Sequence, residues 1–188
     1  MDAYAAVVLA GGAARRLGGA DKPRLRVGER SMLDRVLDAV ADADPRIVVG
    51  PGPVRDALGV TEEPPGGGPV AALAAGLALV PSGTVAVLAA DLPFLTATAV
   101  HALRSTLTST MDGVVYVDAT GRRQLLCGLW STEKLRERLA QLGDPAGQSM
   151  RRLVDGLRVA ELSWSAPGPP PWYDCDTESD LQRAQEWA

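Results

Sequence analysis

Residues 9–22 read LAGGAARRLGGADK, and this stretch holds four glycines and three cationic side chains. It starts within the apolar run Ala5–Ala10, which has the composition of a buried strand. In an open parallel sheet, the connection after the first strand often binds phosphate, because glycine lets backbone N–H groups approach an oxyanion closely. Arg15, Arg16 and Lys22 would neutralise the charge of that anion. The stretch predicts a polyphosphate-binding loop in preference to an ordinary surface loop.

Several other kinds of site find no support in the sequence. The loop contains neither the GxxxxGK[ST] pattern of P-loop enzymes nor the GxGxxG pattern of dinucleotide folds. Cys127 and Cys175 lie far apart without a neighbouring cysteine or histidine, which argues against a zinc site or a disulfide framework. The one histidine, His101, falls within a predicted helix, so a hydrolase triad would lack its base.

Short apolar runs alternate with segments of helical spacing through the first half of the chain. Strands are predicted at Ala5–Ala10, Ile47–Val49 and Val85–Ala89, and helices at Met32–Val40 and Val70–Val80. Strands without a polar face imply a sheet that is covered on both sides. We therefore predict an α/β fold, a three-layer α/β/α sandwich around a mostly parallel, doubly wound sheet.

The second half of the chain is less regular. Its predicted elements, in chain order, are a helix at Ala97–Leu107, strands at Val114–Val117 and Leu125–Trp130, helices at Thr132–Leu142 and Ser149–Leu157, and a short strand at Trp172–Asp174. A segment with four prolines, Ala166–Pro171, precedes the last strand. The order in which these strands pair is left open.

Length, composition and charge narrow the class of protein. The chain has 188 residues, of which 46% are hydrophobic and 22% charged, so we expect one globular domain spanning residues 1–188. The net charge is -4 without a run of like charges, so neither a nucleic acid nor a membrane is an expected partner. Residues 1–19 lack the basic start of a signal peptide, and we expect a cytoplasmic location.

Four motifs in order resemble those of the molybdenum cofactor guanylyltransferases, the MobA family within the MobA-like NTP transferases. They are residues 9–22, Gly68-Pro69-Val70-Ala71, Ala90-Asp91-Leu92-Pro93-Phe94, and Asp174-Cys175-Asp176-Thr177. The chain departs from the family at three places: Gly50-Pro51 stands where asparagine is frequent, Glu63 is nearest to the position of an aspartate, and two aspartates replace the closing asparagine pair.

The resemblance implies a fold of the nucleotide-diphospho-sugar transferase type, and it also implies a set of site residues. The catalytic set would be Lys22, Arg16 and Asp91, with Lys22 and Arg16 meeting the phosphates and Asp91 holding Mg²⁺. The nucleotide-binding set would comprise Leu9, Ala10, Gly11, Gly12, Lys22, Glu63, Gly68, Pro69 and Asp91.

Two aspartates are candidate ligands of Mg²⁺ on grounds of position. Asp91 follows an uncharged run and should emerge at the carboxyl end of a buried strand, where Asp176 could join it. Alternatively, Asp91 caps the turn before Pro93. For Asp176, the alternative is that its side chain stabilises the N-terminus of the helix that starts near Thr177.

The reaction implied by the resemblance moves GMP from GTP onto the terminal phosphate of molybdopterin, or of its metal-loaded form, and releases pyrophosphate. GTP and molybdopterin would be the partners and Mg²⁺ the cofactor, with room for transient contact with molybdenum cofactor proteins. A cytidylyl or sugar-phosphate transferase that uses CTP or another NTP is the alternative that the closing Asp-x-Asp favours, and a nucleotide-binding module without turnover is a third. Arg122-Arg123-Gln124 could reach a second anionic ligand or form an exposed turn.

Overall fold

A computed structural model describes residues 3–11, 22–81 and 83–188 of the chain. The strands are β1 (Tyr4–Leu9), β2 (Arg26–Val27), β3 (Arg30–Ser31), β4 (Arg46–Val49), β5 (Leu58–Val60), β6 (Thr84–Ala89), β7 (Gly113–Val117), β8 (Arg123–Ser131) and β9 (Val159–Ser163). The helices are α1 (Met32–Ala39), α2 (Pro69–Leu77), α3 (Ala97–Thr106), α4 (Thr132–Leu142), α5 (Met150–Leu153) and α6 (Glu178–Trp187), with a short 3-10 helix at Lys22–Arg24.

Seven strands form the central sheet, in the order β5-β4-β1-β6-β8-β7-β9. All neighbouring pairs are parallel except the two that β8 makes with β6 and β7. The strands β2 and β3 form a separate antiparallel hairpin. The predicted doubly wound and mostly parallel sheet is therefore confirmed.

The two faces of the sheet bury different residues of each strand, because successive side chains of a strand point to opposite sides. On β1, Ala6 and Val8 pack with α1 and α3, whereas Ala5 and Val7 pack with α2, α4 and α5. Both sets are at most 2% exposed. The helices thus form the two outer layers of the sandwich. None of the helices in the described ranges is both long enough and apolar enough to cross a membrane.

A small third cluster is separate from the two that cover the faces of the sheet. Its buried members come from the hairpin, the start of α1, the segment before α6, and α6 itself; partly buried side chains from the same region and from the loop after β6 pack against them. The members are Val27, Met32, Cys175 and Ala184, joined by Leu25, Phe94, Tyr173 and Leu181. This third cluster ties the residues after Lys22 to those after Asp91 and before Asp176.

After α4, one predicted helix is shorter than expected and one predicted strand is absent. The predicted helix over Ser149–Leu157 ends at Leu153, and Gly156, with φ of +78°, adopts a conformation that favours glycine and lies between α5 and β9. The predicted strand at Trp172–Asp174 is wrong, because the backbone turns there and the Tyr173 N–H donates to the Pro170 carbonyl at 3.0 Å. The last strand of the chain is instead β9, which pairs with β7 at one edge of the sheet.

Strand β8 contains a large bulge. Its Gly128 pairs with Val115 of β7, but the next residue of β7, Tyr116, pairs with Gln124. Residues 125–127 are therefore extra in the pairing with β7. Bulges bend a strand and redirect its side chains, and they are frequent near active sites.

Candidate active site

The carboxyl ends of β1 and β6 lie side by side. These strands are parallel, Leu9 is opposite Ala89, and the Ala90 N–H donates to the Leu9 carbonyl at 3.1 Å. Asp91 therefore emerges next to the chain that enters the glycine-rich loop. This is the edge of an open sheet at which ligands bind.

The ammonium of Lys22 contacts two carboxylates at this edge. Lys22 Nζ lies 2.5 Å from Asp91 Oδ2 and donates a hydrogen bond to Asp176 Oδ1 at 2.7 Å. The side chains of Lys22 and Asp91 are only 15% and 18% exposed, whereas that of Asp176 is 56% exposed. Solvent screens the Lys22–Asp91 pair less than the Lys22–Asp176 pair, which lies on the open side.

Lys22 stays protonated in this position. Burial by itself lowers the pKa of a lysine, but hydrogen bonds to Asp176 and Asp91, together with their charges, outweigh burial and raise the pKa of Lys22. The site therefore offers a permanent positive charge held between two oxygen ligands.

Asp174 adds a third acidic group. Although the residue has exposed surface, partial burial of its carboxyl is the largest cause that raises the pKa of Asp174, and the charges of Asp176 and Asp91 raise it further. The charge of Lys22 acts in the opposite direction. Protonation of Asp174 is thus easier than that of an isolated aspartate.

The third cluster fixes the segments that carry these charges. Cys175, between Asp174 and Asp176, is fully buried, and its burial raises the pKa of the thiol to about 12. Phe94, which follows Asp91 closely, packs edge-on against Tyr173 with ring centroids 5.8 Å apart. Apolar neighbours therefore hold each charged residue, since side chains in packed clusters have few alternative positions.

A cleft of about 970 Å³ opens from the carboxylates. Its lining includes Asp91, Asp174 and Asp176, apolar residues of β8 and α5, and three arginines: Arg122, Arg123 and Arg151. Such a volume is large enough for a small-molecule ligand. The arrangement can bind an anion at Lys22 and hold a larger organic group beside it.

A family model described as the MobA-like NTP transferase domain matches residues 6–162. The chain belongs to this family. A protein of Bradyrhizobium sp. (strain ORS 278) named molybdenum cofactor guanylyltransferase is 32% identical, and the match covers 97% of this chain and 92% of that protein. This MobA-like NTP transferase is thus a nucleotidyltransferase, and the predicted family is confirmed.

Solved structures agree on the fold. A nucleotidyl transferase from Methanothermobacter thermautotroptrophicus has a TM-score of 0.77 at 20% identity, with 99% of this chain and 97% of that chain covered. Molybdopterin-guanine dinucleotide biosynthesis protein A from Archaeoglobus fulgidus has a TM-score of 0.72 at 18% identity, with 96% of both chains covered. These likenesses confirm the predicted fold class.

The first predicted nucleotide-binding residues of the transferase differ in exposure. Leu9 is 7% exposed and belongs to the core, whereas Gly11 is exposed. The N–H groups of Ala10 and Gly11 both donate to the Val49 carbonyl, at 2.8 and 3.0 Å. These two N–H groups therefore already have a partner within the chain. Gly12 and Arg16, also predicted for this site, lie outside the described residues.

Gly50 has a steric reason to be glycine. A Cβ at this position would lie 2.8 Å from the Ala10 carbonyl carbon and 2.9 Å from the Gly11 nitrogen. Because both are backbone atoms, a larger residue would push the turn after β4 away from β1. The departure from the family at Gly50-Pro51 therefore accompanies a close approach of two loops.

Of the two adjacent glutamates before α2, Glu62 and not the predicted Glu63 contacts the loop that leads into the helix. Gly68 caps α2 and Pro69 is its first residue. Their contact with a nucleotide stays a prediction. The predicted Glu63 is exposed, whereas Glu62 is half-buried and its Oε1 accepts from the Gly66 N–H at 2.7 Å. The other oxygen, Oε2, is buried without a hydrogen-bond partner in the described part of the chain. Sequence reasoning missed Glu62, because nothing in the local pattern separates two adjacent glutamates.

Proposed function

We propose that this transferase moves GMP from GTP onto the terminal phosphate of molybdopterin and releases pyrophosphate. The observation that carries the proposal is the Lys22 ammonium in contact with Asp91 and Asp176 at the edge shared by β1 and β6. The guanylyl and molybdopterin parts come from the names of relatives, one of which covers 97% of the chain at 32% identity.

The residues of the edge fit Mg²⁺. Mg²⁺ prefers one or two carboxylates together with substrate phosphates and water. Asp91 and Asp176 each place an oxygen within contact distance of one cationic atom, so the two oxygens are no farther apart than the sum of those contacts. Asp91 and Asp176 would hold the ion, which when bound supplies positive charge against the triphosphate.

The chemistry needs no general base. An oxygen of the acceptor phosphate bonds to the α-phosphorus of GTP, the bond from that phosphorus to the oxygen that bridges to the β-phosphorus breaks, and pyrophosphate leaves with the electron pair. Because a phosphate monoester has a second pKa of about 6, its oxygen is already ionised at neutral pH. His101, exposed on α3, has no part in this step.

The barrier is then electrostatic, because two anions must meet. Lys22 keeps its positive charge beside the place where charge grows on the phosphates, and its partners hold the ammonium in position before the substrate arrives. Preorganised charge of this kind is often the largest contribution to catalysis. Arg16 is proposed to add a second positive charge there, and Leu9, Ala10, Gly11, Gly12, Glu63, Gly68 and Pro69 to surround the nucleotide.

A comparison of four nucleotides as substrates tests the proposal. The purified chain is incubated with molybdopterin, Mg²⁺ and GTP, CTP, ATP or UTP in turn, and pyrophosphate release and product mass are measured. We expect GTP to be preferred. Faster release with CTP or UTP would make the guanylyl assignment wrong and favour the transferase that the Asp174-x-Asp176 pair suggests.

Asp91→Asn separates a transferase from a binding module. We expect this substitution to abolish pyrophosphate release while GTP binding without metal survives, because the carboxylate is needed for the ion and not for the nucleotide itself. Asp44→Asn, at an exposed carboxylate away from the cleft, serves as the matched control and should keep full activity. A binding module would release no pyrophosphate even as the unmodified protein.

A further inference from the structure

Helix α6 connects segments that carry the charges of the site. It starts two residues after Asp176, and its first turn is closed by a capping box between Thr177 and Asp180. In its last turn, the ring of Trp187 packs edge-on against Phe94, with centroids 5.8 Å apart. Both ends of the helix are therefore held, one beside Asp176 and the other against the loop that follows β6.

One side chain of the last turn joins α6 to the hairpin of β2 and β3. The Gly28 N–H donates a hydrogen bond to Gln185 Oε1 at 2.9 Å, and Gln185 Nε2 donates one to the Arg26 carbonyl at 2.6 Å. The amide thus uses a donor and its acceptor on the backbone of one hairpin, as a neighbouring strand would. Gln185 is exposed, so burial of apolar surface does not explain these contacts.

The hairpin follows directly on the short segment that starts at Lys22. In this segment the Leu25 N–H donates to the Lys22 carbonyl at 3.0 Å. The Leu25 carbonyl accepts from the Met32 N–H at 3.0 Å, which closes the base of the hairpin. The hydrogen bonds of Gln185 therefore act on a continuous, hydrogen-bonded piece of backbone whose first residue is Lys22.

A second side chain also holds the hairpin, but to a different element. Arg35 of α1 donates to the Val27 carbonyl, through Nε at 3.0 Å and through Nη2 at 2.6 Å. This contact ties the hairpin to α1, whereas that of Gln185 ties it to the helix that begins beside Asp176. Because Lys22 Nζ lies 2.7 Å from Asp176 Oδ1, the tie to α6 bears directly on the distance between two groups of the site.

We propose that Gln185 is a positioning residue for the transfer reaction, which through the hairpin holds the Lys22 ammonium between Asp91 and Asp176. This inference rests on the proposed function, in which Lys22 stabilises the charge that grows on the phosphates. A small displacement of such a group lowers the rate even when the group itself is intact. Gln185 touches no substrate and acts through Lys22.

The chain contains an internal reference for the position of Lys22, because its only other lysine is Lys134. Lys22 is 15% exposed and lies between two carboxylates, whereas Lys134 is 39% exposed on α4. The N-hydroxysuccinimide ester of acetic acid acetylates a lysine through its neutral amine, so both burial and a neighbouring carboxylate slow the reaction. Mass spectrometry of the two lysine peptides gives the ratio of the acetylation rates of Lys22 and Lys134, and this measurement needs no turnover.

The test compares Gln185→Leu with Gln182→Leu, a matched change at an exposed position of the same helix. We expect Gln185→Leu to raise the acetylation ratio about three- to tenfold and to lower the kcat for pyrophosphate release by a similar factor, as the loss of neutral hydrogen bonds implies. Gln182→Leu should change both by less than about twofold. Gln185→Glu keeps the acceptor for the Gly28 N–H and loses the donor to the Arg26 carbonyl, so its values should lie between those of Gln185→Leu and the unmodified protein.

Thermal unfolding of each variant separates positioning from stability. If Gln185→Leu lowers Tm while the acetylation ratio, measured well below Tm, stays that of the unmodified protein, the residue supports only the fold and the inference is wrong. An equal rise of the ratio in Gln182→Leu would overturn it, as would a fall in kcat without a change in the ratio. Should Gln185→Leu not fold, Gln185→Glu is held to the same criteria.

The proposed function fails separately, when the unmodified protein releases no pyrophosphate from GTP with molybdopterin. The acetylation ratio still tests Gln185 in that case, because it reports the surroundings of Lys22 and not the reaction.

Discussion

The two sides of the central sheet differ in construction. The four strands β5, β4, β1 and β6 are all parallel, and the edge they form carries Asp91. The three strands β8, β7 and β9 include an antiparallel strand with a bulge, and they lie beside the arginines of the cleft. The regular side presents the strand ends and carboxylates at which we propose that the metal-bound triphosphate lies. The irregular side presents apolar side chains and arginines that line the rest of the cleft.

The largest effect should come from Lys22, whose ammonium contacts both Asp91 and Asp176. Lys22→Ala removes a preorganised charge, which typically costs about 2.7–4 kcal/mol of barrier, so the kcat should fall by two to three decades. Lys134→Ala is the control, because this is the only other lysine and it pairs with Glu137 on the surface of α4. A kcat for Lys22→Ala within tenfold of the unmodified protein, measured by pyrophosphate release, would remove Lys22 from the chemistry.

The next prediction compares how tightly the two sides of the sheet are packed. A Cβ on Gly128 would lie 2.7 Å from Val115 Cγ1 and 2.9 Å from the Val114 carbonyl oxygen, so Gly128→Ala should lower the free energy of unfolding by about 1–3 kcal/mol. On β5, a Cβ on Gly59 would meet Val54 Cγ2 at an ordinary 3.6 Å, and Gly59→Ala should be nearly neutral. Urea unfolding measures both. Equal losses would show that the irregular side is no more tightly packed than the regular edge.

A third experiment compares adjacent glutamates on the regular side. Glu62→Gln weakens the acceptor of the Gly66 N–H and should raise the KM for GTP about three- to tenfold, through the loop that precedes α2. Glu63→Gln alters an exposed side chain that is proposed to lie beside the nucleotide, and it should raise the KM for GTP less than Glu62→Gln does, because the Glu63 carboxylate holds no N–H of the loop within the described residues 64–68. Steady-state kinetics with varied GTP distinguishes them. A larger effect at Glu63 would indicate that Glu63, the residue predicted from the sequence, contacts the nucleotide and that Glu62 does not.

The smallest effect concerns pH. Because the pKa of Asp174 is raised above its unfolded value of 3.8, the native state holds this proton more tightly, and stability falls as pH rises through the window above 3.8. Asp174→Asn should therefore raise Tm slightly at pH 7, and the gain should vanish below the unfolded pKa. Thermal unfolding without metal across this pH range is the measurement. A gain that is independent of pH would exclude a charge effect.

Much of the regular side could be predicted from the sequence. The apolar runs that became β1 and β6 have no polar face, and a carboxylate directly after such a run can lie only at the sheet edge. That reasoning placed Asp91 near the glycine-rich loop, and the structure brings Lys22 into contact with it. The chemical roles of these residues remain predictions.

The irregular side could not be predicted in the same way. Strand β9 is an edge strand without a buried residue, so its sequence lacks the apolar signal of a strand. The bulge in β8 arises because Tyr116 of β7 pairs with Gln124 of β8. This pairing between strands is not encoded in a local sequence pattern. The half-buried position of Glu62 likewise depends on a turn, which brings the Gly66 N–H to the Glu62 carboxylate.

The contact between Lys22 and Asp176 joins residues 154 positions apart in the sequence. During synthesis, every strand of the sheet can leave the ribosome before Asp176 does, because β9 ends at Ser163. The third cluster cannot be complete until Cys175 and Ala184 have been synthesised, because both are buried members of it. A nascent chain can thus have all strands of its sheet before it has the segment that carries Asp176, so the contact between Lys22 and Asp176 is among the last to form.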